Sequence, residues 1–322
     1  MEVFPYRLII CRYCGIIPSD KIRKGAKMKG YLITNHFLKS DKFNSLQMHL
    51  EGSAKKAGIN LESLTNAQLL ALLPLSIEGC KSFFRENGVS FVLFWDKDIR
   101  LARFIEECGV RVFNPSHAIE SCDDKSLTYI RLLEQGVPMP KTVISPKTFF
   151  PSALPEEFIL SLEERLSFPM VIKECYGSFG RQVYLAQSRE ELEELCIKLS
   201  PSPLVFQEYI SSSAGRDYRL NVVGNKVVCA MERRNDNDFR ANISNGGYML
   251  AHTPTKEQEE LALRVCRALD LDFAGVDLLT GKNGESLVCE VNSNAHFINI
   301  LNCTGVDVAD FIMEHIKKET SV

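Results

Sequence analysis

F-A-G-V-D-L-L-T-G-K-N-G-E-S-L-V-C-E-V-N-S-N-A-H-F, residues 273–297, carries the clearest fold signal in the chain. Two apolar runs flank Asn283-Gly284, and this dipeptide between such runs indicates a hairpin because both residues tolerate positive φ. A two-residue turn there predicts that Asp277 lies directly opposite Glu290, with Cβ atoms about 5 Å apart. Asn292 follows Glu290 by two residues, so its side chain projects from the same face. The stretch therefore predicts two carboxylates and one amide on one face of an antiparallel hairpin.

This group of side chains suits a divalent cation. Two carboxylates on an apolar surface repel each other unless a positive charge lies between them. Oxygen ligation by one or two carboxylates, completed by phosphates and waters, is typical of Mg²⁺. We therefore predict Asp277, Glu290 and Asn292 as metal ligands, and we expect the unliganded protein to be at least as stable when one carboxylate is neutralised. The plain alternative is three solvated polar residues on the exposed face of an ordinary hairpin.

The composition is that of an ordinary soluble globular protein. The chain has 322 residues, 45% of them hydrophobic and 25% charged, with a net charge of −3. The length predicts about two domains or more, and the charge favours neither nucleic acid nor a membrane as the main partner. The 11 cysteines are scattered through apolar segments, apart from the single C-x-x-C at residues 11–14. This pattern is typical of reduced thiols, so we expect a cytoplasmic protein.

The first 117 residues divide into a leader and a small domain. Residues 1–29 carry Arg7 and Arg12 within their apolar part and then a basic stretch without periodicity, which makes a poor signal peptide. We expect this leader to be disordered or absent from the natural product. In residues 30–117 short apolar runs alternate with amphipathic helices, which predicts an open parallel α/β sheet. This domain has no G-x-G-x-x-G and no evident catalytic constellation.

Residues 118–200 contain two lysines in unusual places. Lys125 lies in the predicted first turn of a helix, where a cation opposes the helix dipole, so it is either solvated or placed to meet an anion. Lys173 lies inside an apolar strand, where burying its charge is costly unless an anion meets it. The sequence C-Y-G-S-F-G-R-Q follows at once, and Gly177 and Gly180 permit a mobile turn whose N–H groups can close over phosphate. We predict that this segment is a lid over a phosphate site.

Residues 201–322 form the second predicted half of the same core. A strand of buried type ends at Glu208-Tyr209. A hairpin turned at Gly224-Asn225 follows, and it carries Asp217 and Arg219 on one face. These residues lie upstream of the predicted metal hairpin and add polar groups to it.

A cluster of charged residues follows this hairpin. We expect Arg233 and Asp236 to belong to a solvated face, which is the usual place for a charge cluster. Arg240 and Asn242 are separated by one residue, so an extended backbone directs both side chains the same way.

Taken in order, these segments resemble the motifs of ATP-grasp enzymes. They are Lys125 before L-L-x-x-G-V-P-x-P, strand Lys173 before a glycine loop, Q-E-Y-I, G-x-D-x-R, F-R-x-N, A-G-V-D and E-V-N. Each motif alone is weak, but together they follow one order over residues 121–316. The order resembles above all that of the RimK-like ligases, which add glutamate or related amino acids to a carboxylate.

The resemblance implies a two-subdomain ATP-grasp core after an N-terminal α/β domain, and a two-step reaction. A carboxylate attacks the γ-phosphate to give an acyl phosphate, and an amine then displaces phosphate to form an amide. The implied cofactors are ATP and two Mg²⁺ ions, with Mn²⁺ as an alternative. The implied nucleotide contacts are Lys125, Lys173, Gly177, Gly180, Glu208, Tyr209, Asp217, Arg240 and Asn242; the metal ligands are Asp277, Glu290 and Asn292; and the catalytic groups are Arg240, Lys173 and Arg219.

One departure leaves the substrates open. RimK-like ligases usually follow E-V-N with small residues and Pro-Gly, whereas this chain reads N-S-N-A-H-F-I-N at residues 292–299, which is nearer to ligases acting on amino-acid carrier proteins. His296 in this segment is a substrate ligand, a base or a packed, hydrogen-bonded histidine. A phosphotransferase or a nucleotide-binding regulator would use the same phosphate residues. The sequence leaves the acceptor, the amine and a homo-oligomeric state open.

Overall fold

A computed structural model of the chain describes residues 28–178 and 180–321, so nearly all of the predicted leader lies outside the described residues. The first unit contains β1 (Lys29–Thr34), α1 (Asp41–Ala57), β2 (Asn60–Thr65), α2 (Asn66–Leu72), α3 (Ile77–Glu86), β3 (Phe91–Trp95), α4 (Ile99–Glu107), β4 (Arg111–Phe113) and α5 (Ser116–Asp123). Its four strands are all parallel, in the order β2-β1-β3-β4. Every residue of β3 is buried, as expected for a central parallel strand covered by helices on both faces. The predicted open parallel α/β sheet is confirmed.

The second unit is a helix followed by an antiparallel α/β layer. It contains α6 (Lys125–Glu134), β5 (Thr142–Ile144), α7 (Glu156–Leu166), β6 (Met170–Glu174), β7 (Val183–Ala186), α8 (Arg189–Leu199) and β8 (Leu204–Glu208). The strand order is β5-β8-β6-β7, so β8 pairs with both β5 and β6. The predicted boundary between residues 200 and 201 therefore separates β8 from its own sheet. We propose a boundary after Glu208, because β8 pairs with β5 and β6 and shares the core of this unit.

The third unit is a five-stranded antiparallel sheet. It contains β9 (Arg216–Val223), β10 (Lys226–Arg234), β11 (Tyr248–His252), α9 (Lys256–Ala268), β12 (Phe273–Thr280), β13 (Ser286–Asn292), α10 (Ile298–Thr304) and α11 (Val308–Thr320). The strand order is β11-β10-β9-β12-β13. Helix α9 packs on one face of this sheet, and α10 and α11 pack on the other. None of the helices in the described part of the chain is both long and apolar enough to cross a membrane.

The β12–β13 turn differs from the predicted one. The strands end at Thr280 and resume at Ser286, so the loop has five residues, closed by a hydrogen bond of 2.8 Å from Gly281 N to Glu285 O. The two-residue turn at Asn283-Gly284 was therefore wrong. Asp277 nevertheless pairs with Glu290, because a bulge at Cys289 inserts one extra residue between the turn and the site.

The first and third units share one core, which brings the N-terminal domain to the predicted metal hairpin. The indole of Trp95 stacks on Phe273 with ring centroids 5.5 Å apart and planes at 11°. The fully buried Asn114 side chain donates to the carbonyl oxygens of Phe273 at 2.9 Å and Ser293 at 2.8 Å, and accepts from the backbone N–H groups of Asp272 and Phe273. One buried amide thus joins the start of β12 to the segment that follows β13.

Candidate active site

Asp277 lies at the centre of a buried charge cluster on the five-stranded sheet. It is opposite Glu290 on one neighbouring strand and opposite Arg219 on the other. Arg219 donates to both carboxylate oxygens, at 2.7 and 2.6 Å, and Arg233 donates to Oδ2 at 2.8 Å. Burial alone would raise the pKa of Asp277, but the charges of Arg219 and Arg233 hold that pKa below its usual value. The unliganded site therefore does not contain the repelling pair of carboxylates that the sequence suggested.

Arg233 was assigned wrongly to a solvated face. Its side chain is only 4% exposed, and it donates to Asp217 at 2.6 and 2.7 Å as well as to Asp277. A bulge at Val228 explains the error, because it shifts the pairing by one residue and sets Arg233 opposite Asp217. Without that bulge the turn would set Glu232 there and send Arg233 to the opposite face. No local sequence signal marks the bulge.

Glu290 and Asn292 have the properties of groups that a ligand completes. The Glu290 carboxylate accepts no hydrogen bond from any residue that the structure describes, and Nδ2 of Asn292 is buried without a partner. Within residues 28–178 and 180–321, no three His, Cys, Asp or Glu side chains cluster as a metal site would require. The donor set is instead two carboxylates and an amide, which fits Mg²⁺ better than a softer metal. Nδ2 of Asn292 is a donor and cannot bind a cation, so Asn292 would bind the ion through Oδ1. Asp277 still has a free lone pair beside its three hydrogen bonds, so the oxygen atoms of the three residues fit the ion.

Both predicted lysines belong to the second unit and face this sheet. Lys173 on β6 is buried, and its Nζ lies 3.7 Å from Sγ of Cys289, the bulge residue next to Glu290. Lys125 begins α6, and its Nζ donates to the carbonyl oxygens of Cys175 at 3.4 Å and Gly177 at 3.3 Å. Burial lowers the pKa of Lys125, whereas the negative charge of Glu290 opposes that shift. These two cations and Glu290 line one cleft.

Two glycines of the loop after Lys173 line the cleft. Gly177 and Gly180 both have positive φ, 147° and 70°. Arg240 donates to the carbonyl oxygens of Gly180 at 2.9 Å and Val183 at 3.2 Å. A Cβ atom on Gly180 would overlap Oδ1 of Asn242, so the two predicted phosphate residues lie in direct contact. The loop therefore closes on the Arg240–Asn242 segment.

Glu208 and Tyr209, which the resemblance implies as nucleotide contacts, line the same cleft. Glu208 ends β8, and its carboxylate accepts from the backbone N–H of Lys141 at 2.8 Å. The Tyr209 ring packs edge-on against Phe239 with centroids 6.3 Å apart. An apolar wall and a strand end of this kind suit a flat aromatic ligand held by backbone groups.

The cleft consists of two cavities that meet at Glu290. The first has a volume of about 100 Å³ and is lined by eleven of the predicted residues: Lys125, Lys173, Gly177, Gly180, Glu208, Tyr209, Asp217, Arg240, Asn242, Asp277 and Glu290. The second has a volume of about 330 Å³ and contains the other two predicted residues, Arg219 and Asn292. Both cavities share Gly177, Ser178, Arg233, Asn242 and Glu290.

The second cavity also contains residues that sequence reasoning missed. The N-terminal domain, which showed no catalytic constellation, contributes Asn35, Lys42, Asp96 and Lys97. Lys42 lies in the first turn of α1, the same dipole-opposing position that drew attention to Lys125. That signal could have identified it.

Comparisons with known proteins identify the family. The RimK-like ATP-grasp domain model matches residues 122–316. Human β-citrylglutamate synthase B is 35% identical over 224 residues, covering 68% of this chain and 56% of that protein, a little over half of its length. The ribosomal protein bS6–L-glutamate ligase of Escherichia fergusonii is 33% identical over 222 residues, covering 68% of this chain and 71% of that protein.

A solved structure shows the same architecture. D-alanine–D-alanine ligase from Bacillus anthracis, complexed with ATP, superposes with a TM-score of 0.68 at 16% identity, covering 91% of this chain and 97% of that chain. At this identity the likeness concerns the fold. Because the family model covers more than half of its residues, the chain belongs to the RimK-like ATP-grasp family of ATP-dependent ligases.

Proposed function

We propose that this ligase joins the amine of glutamate, or of another amino acid, to a carboxylate through an acyl phosphate. The observation that carries this proposal is the junction of the two cavities at Glu290. The first cavity is lined by lysines, glycines and a strand end that suit ATP, and its volume of about 100 Å³ would have to increase for ATP to enter. The second adjoins it at the shared residues and, at about 330 Å³, is large enough for a small substrate. A carboxylate in the second cavity would meet the γ-phosphate at the junction.

Glutamate is the favoured amine because the names of two relatives share it. One relative is a β-citrylglutamate synthase and the other is an L-glutamate ligase acting on ribosomal protein bS6. Their acceptors differ, a citryl group in one and a protein in the other. For this chain, the acceptor class is therefore a carboxylate on a small molecule, peptide or protein.

The residues of the first cavity would bind and orient ATP. Lys125 and Lys173 supply positive charge near the phosphates, and Glu208-Tyr209 positions the base. Arg240 and Asn242 hold the glycine loop and would contact the γ-phosphate. Asp277, Glu290 and Asn292 would hold Mg²⁺, which neutralises phosphate charge when bound. Binding by Asp277 would use its remaining lone pair or displace one arginine N–H.

The residues around the junction would then carry the two chemical steps. In the first, a carboxylate oxygen forms a bond to the γ-phosphorus while the bond to the leaving oxygen of ADP breaks. In the second, the amine nitrogen bonds to the acyl carbon, phosphate leaves with its electron pair, and the nitrogen releases a proton. Arg219 lines the second cavity, where its charge would stabilise the developing negative oxygen. The closed glycine loop would keep water from the acyl phosphate.

Trapping with hydroxylamine tests this proposal. The protein is incubated with Mg-ATP, hydroxylamine and candidate acceptors, namely citrate, N-acetylaspartate and a peptide with a free C-terminal carboxylate. We expect a hydroxamate, ADP and phosphate in equal amounts with at least one acceptor, and no product with Glu290→Gln. L-Glutamate should replace hydroxylamine and yield the amide.

The products distinguish the other reaction classes. A stable phosphorylated acceptor without hydroxamate or free phosphate would indicate a phosphotransferase. AMP and pyrophosphate would contradict both readings, because they require attack at the α-phosphate. ATP binding without turnover on any acceptor would favour a nucleotide-binding regulator.

A further inference from the structure

Three polar side chains beyond β13 point to a second binding element. Asn292, Asn294 and His296 alternate along the chain, and all three line the second cavity. Each has one buried polar atom without a hydrogen-bond partner among the described residues: Nδ2 of Asn292, Oδ1 of Asn294 and Nδ1 of His296. A buried polar atom without a partner is costly, and folded proteins contain few of them. Three at consecutive alternate positions, in side chains that line one cavity, indicate a ligand that reaches these atoms once small side-chain movements expose them.

The neighbouring contacts determine which of these atoms accept. Nδ2 of Asn294 donates to the carbonyl oxygen of Asp96 at 2.8 Å, so its Oδ1 faces away as an acceptor. Nε2 of His296 lies 3.0 Å from the carbonyl oxygen of Lys42. A carbonyl oxygen only accepts, so Nε2 carries the proton and Nδ1 is a lone-pair acceptor. Asn294 and His296 therefore present two neutral acceptors that need an N–H or O–H donor.

The charged side chains around the second cavity indicate whether the donor is a neutral amine or an ammonium ion. Lys42 and Arg219 line the same cavity and disfavour a second positive charge. Two carboxylates also line it. Asp96 already accepts from Asn35, Asn66 and the backbone N–H of Lys97, and Glu290 is proposed to hold Mg²⁺. The acceptors thus suit a neutral amine better than an ammonium ion. A neutral amine is also the form that can attack an acyl phosphate.

We propose that Asn294 and His296 form the amine subsite, in which Oδ1 of Asn294 and Nδ1 of His296 accept hydrogen bonds from the attacking amino group. This inference rests on the proposed function and adds the residues that recognise the nucleophile. Burial lowers the pKa of His296 to about 4, so the ring remains a neutral acceptor at physiological pH. His296 consequently positions the amine and is poorly suited to remove its proton.

A matched pair of ligands isolates the amine contact. Glutarate has the carbon chain and carboxylates of glutamate but lacks the amino group. The affinities of L-glutamate and glutarate are measured by calorimetry on the full-length protein with Mg²⁺ and a non-hydrolysable ATP analogue. At about pH 9, where a larger fraction of the amino group is neutral than at pH 7, the wild type should prefer L-glutamate. Asn294→Leu and His296→Phe should each weaken glutamate binding about fivefold, the effect of one hydrogen bond, and leave glutarate binding unchanged.

Two further variants control for packing. His117→Phe, on the surface beside Asp270, should bind both ligands as the wild type does. His296→Gln retains an acceptor oxygen and should keep most of the glutamate preference, even if His296→Phe does not fold. Equal losses for both ligands, or an unchanged preference in the variants, would overturn the subsite. Wild-type protein that yields no hydroxamate in the trapping assay would instead overturn the proposed function.

Discussion

The Asp277–arginine cluster leads to a prediction that separates stability from catalysis. Asp277 and Glu290 lie opposite each other, and both are proposed to bind Mg²⁺. Their partners within the protein differ sharply. Asp277 is 1% exposed and accepts three hydrogen bonds from Arg219 and Arg233, whereas Glu290 accepts none from the described residues. Asp277→Asn and Glu290→Gln are therefore a matched pair of isosteric, charge-removing substitutions.

The expected energies follow from these contacts. Removing one partner of a buried ion pair costs about 3–5 kcal/mol, because the remaining charge is left uncompensated. Asparagine keeps one acceptor oxygen, so we expect Asp277→Asn to lower the free energy of unfolding by about 3 kcal/mol. In a domain of this size that loss lowers the melting temperature by about 6–12 °C. Glu290→Gln removes no hydrogen bond within the protein, so we expect a change within about 0.5 kcal/mol.

Urea denaturation and thermal melting of both variants, without nucleotide or metal, measure this difference. Mg²⁺-dependent ATP turnover in the presence of an acceptor is measured in parallel, and both variants should lose it. The sequence alone led to the opposite stability expectation for Asp277, because it showed two carboxylates and no arginine between them. An Asp277→Asn protein as stable as the wild type would refute the cluster as the structure describes it.

Three further substitutions test other parts of the site. Gly180→Ala should lower turnover more than it weakens ATP binding, because its Cβ would overlap Oδ1 of Asn242. Gly284 also has a positive φ, 88°, so alanine is strained there too, but open space surrounds it and Gly284→Ala should retain turnover. Similar losses of turnover in both glycine variants would contradict the steric argument. The pKa of His296 is about 4 in the folded protein and 6.5 for an ordinary histidine, so a fall in pH through this interval destabilises the folded state. His296→Gln lacks this titration, so its melting temperature should fall less than that of the wild type between pH 6.5 and 4. Parallel melting curves against pH would contradict this. Asn292→Ala should raise the Mg²⁺ concentration needed for turnover, yet reduce turnover less than Glu290→Gln, since it removes a neutral ligand; a complete loss at saturating Mg²⁺ would count against that ranking.

The sequence predicted many residues that the structure brings together around the first cavity. Lys125 and Lys173 stood out because helix-dipole and burial arguments disfavour a lysine at each position. The glycine loop follows Lys173 directly, so its place over the cleft required only local connectivity. Alternation of apolar runs and amphipathic helices was enough to predict the parallel sheet, because that pattern depends on neighbours in sequence.

The details of the charge cluster were set by contacts between distant segments. One bulge at Val228 brings Arg233 to Asp217, whereas the bulge at Cys289 restores the pairing of Glu290 with Asp277 that the predicted two-residue turn implied. Each bulge shifts the register by one residue, which exchanges the two faces of a strand. Such a shift carries no signature in the local pattern, since it results from packing among five strands, three helices and the N-terminal domain. Long-range packing also places Lys42 and Lys97 in the second cavity and pairs β8 with the strands of the second unit. The positions of Lys42, Lys97 and β8 could therefore be seen only in the folded chain.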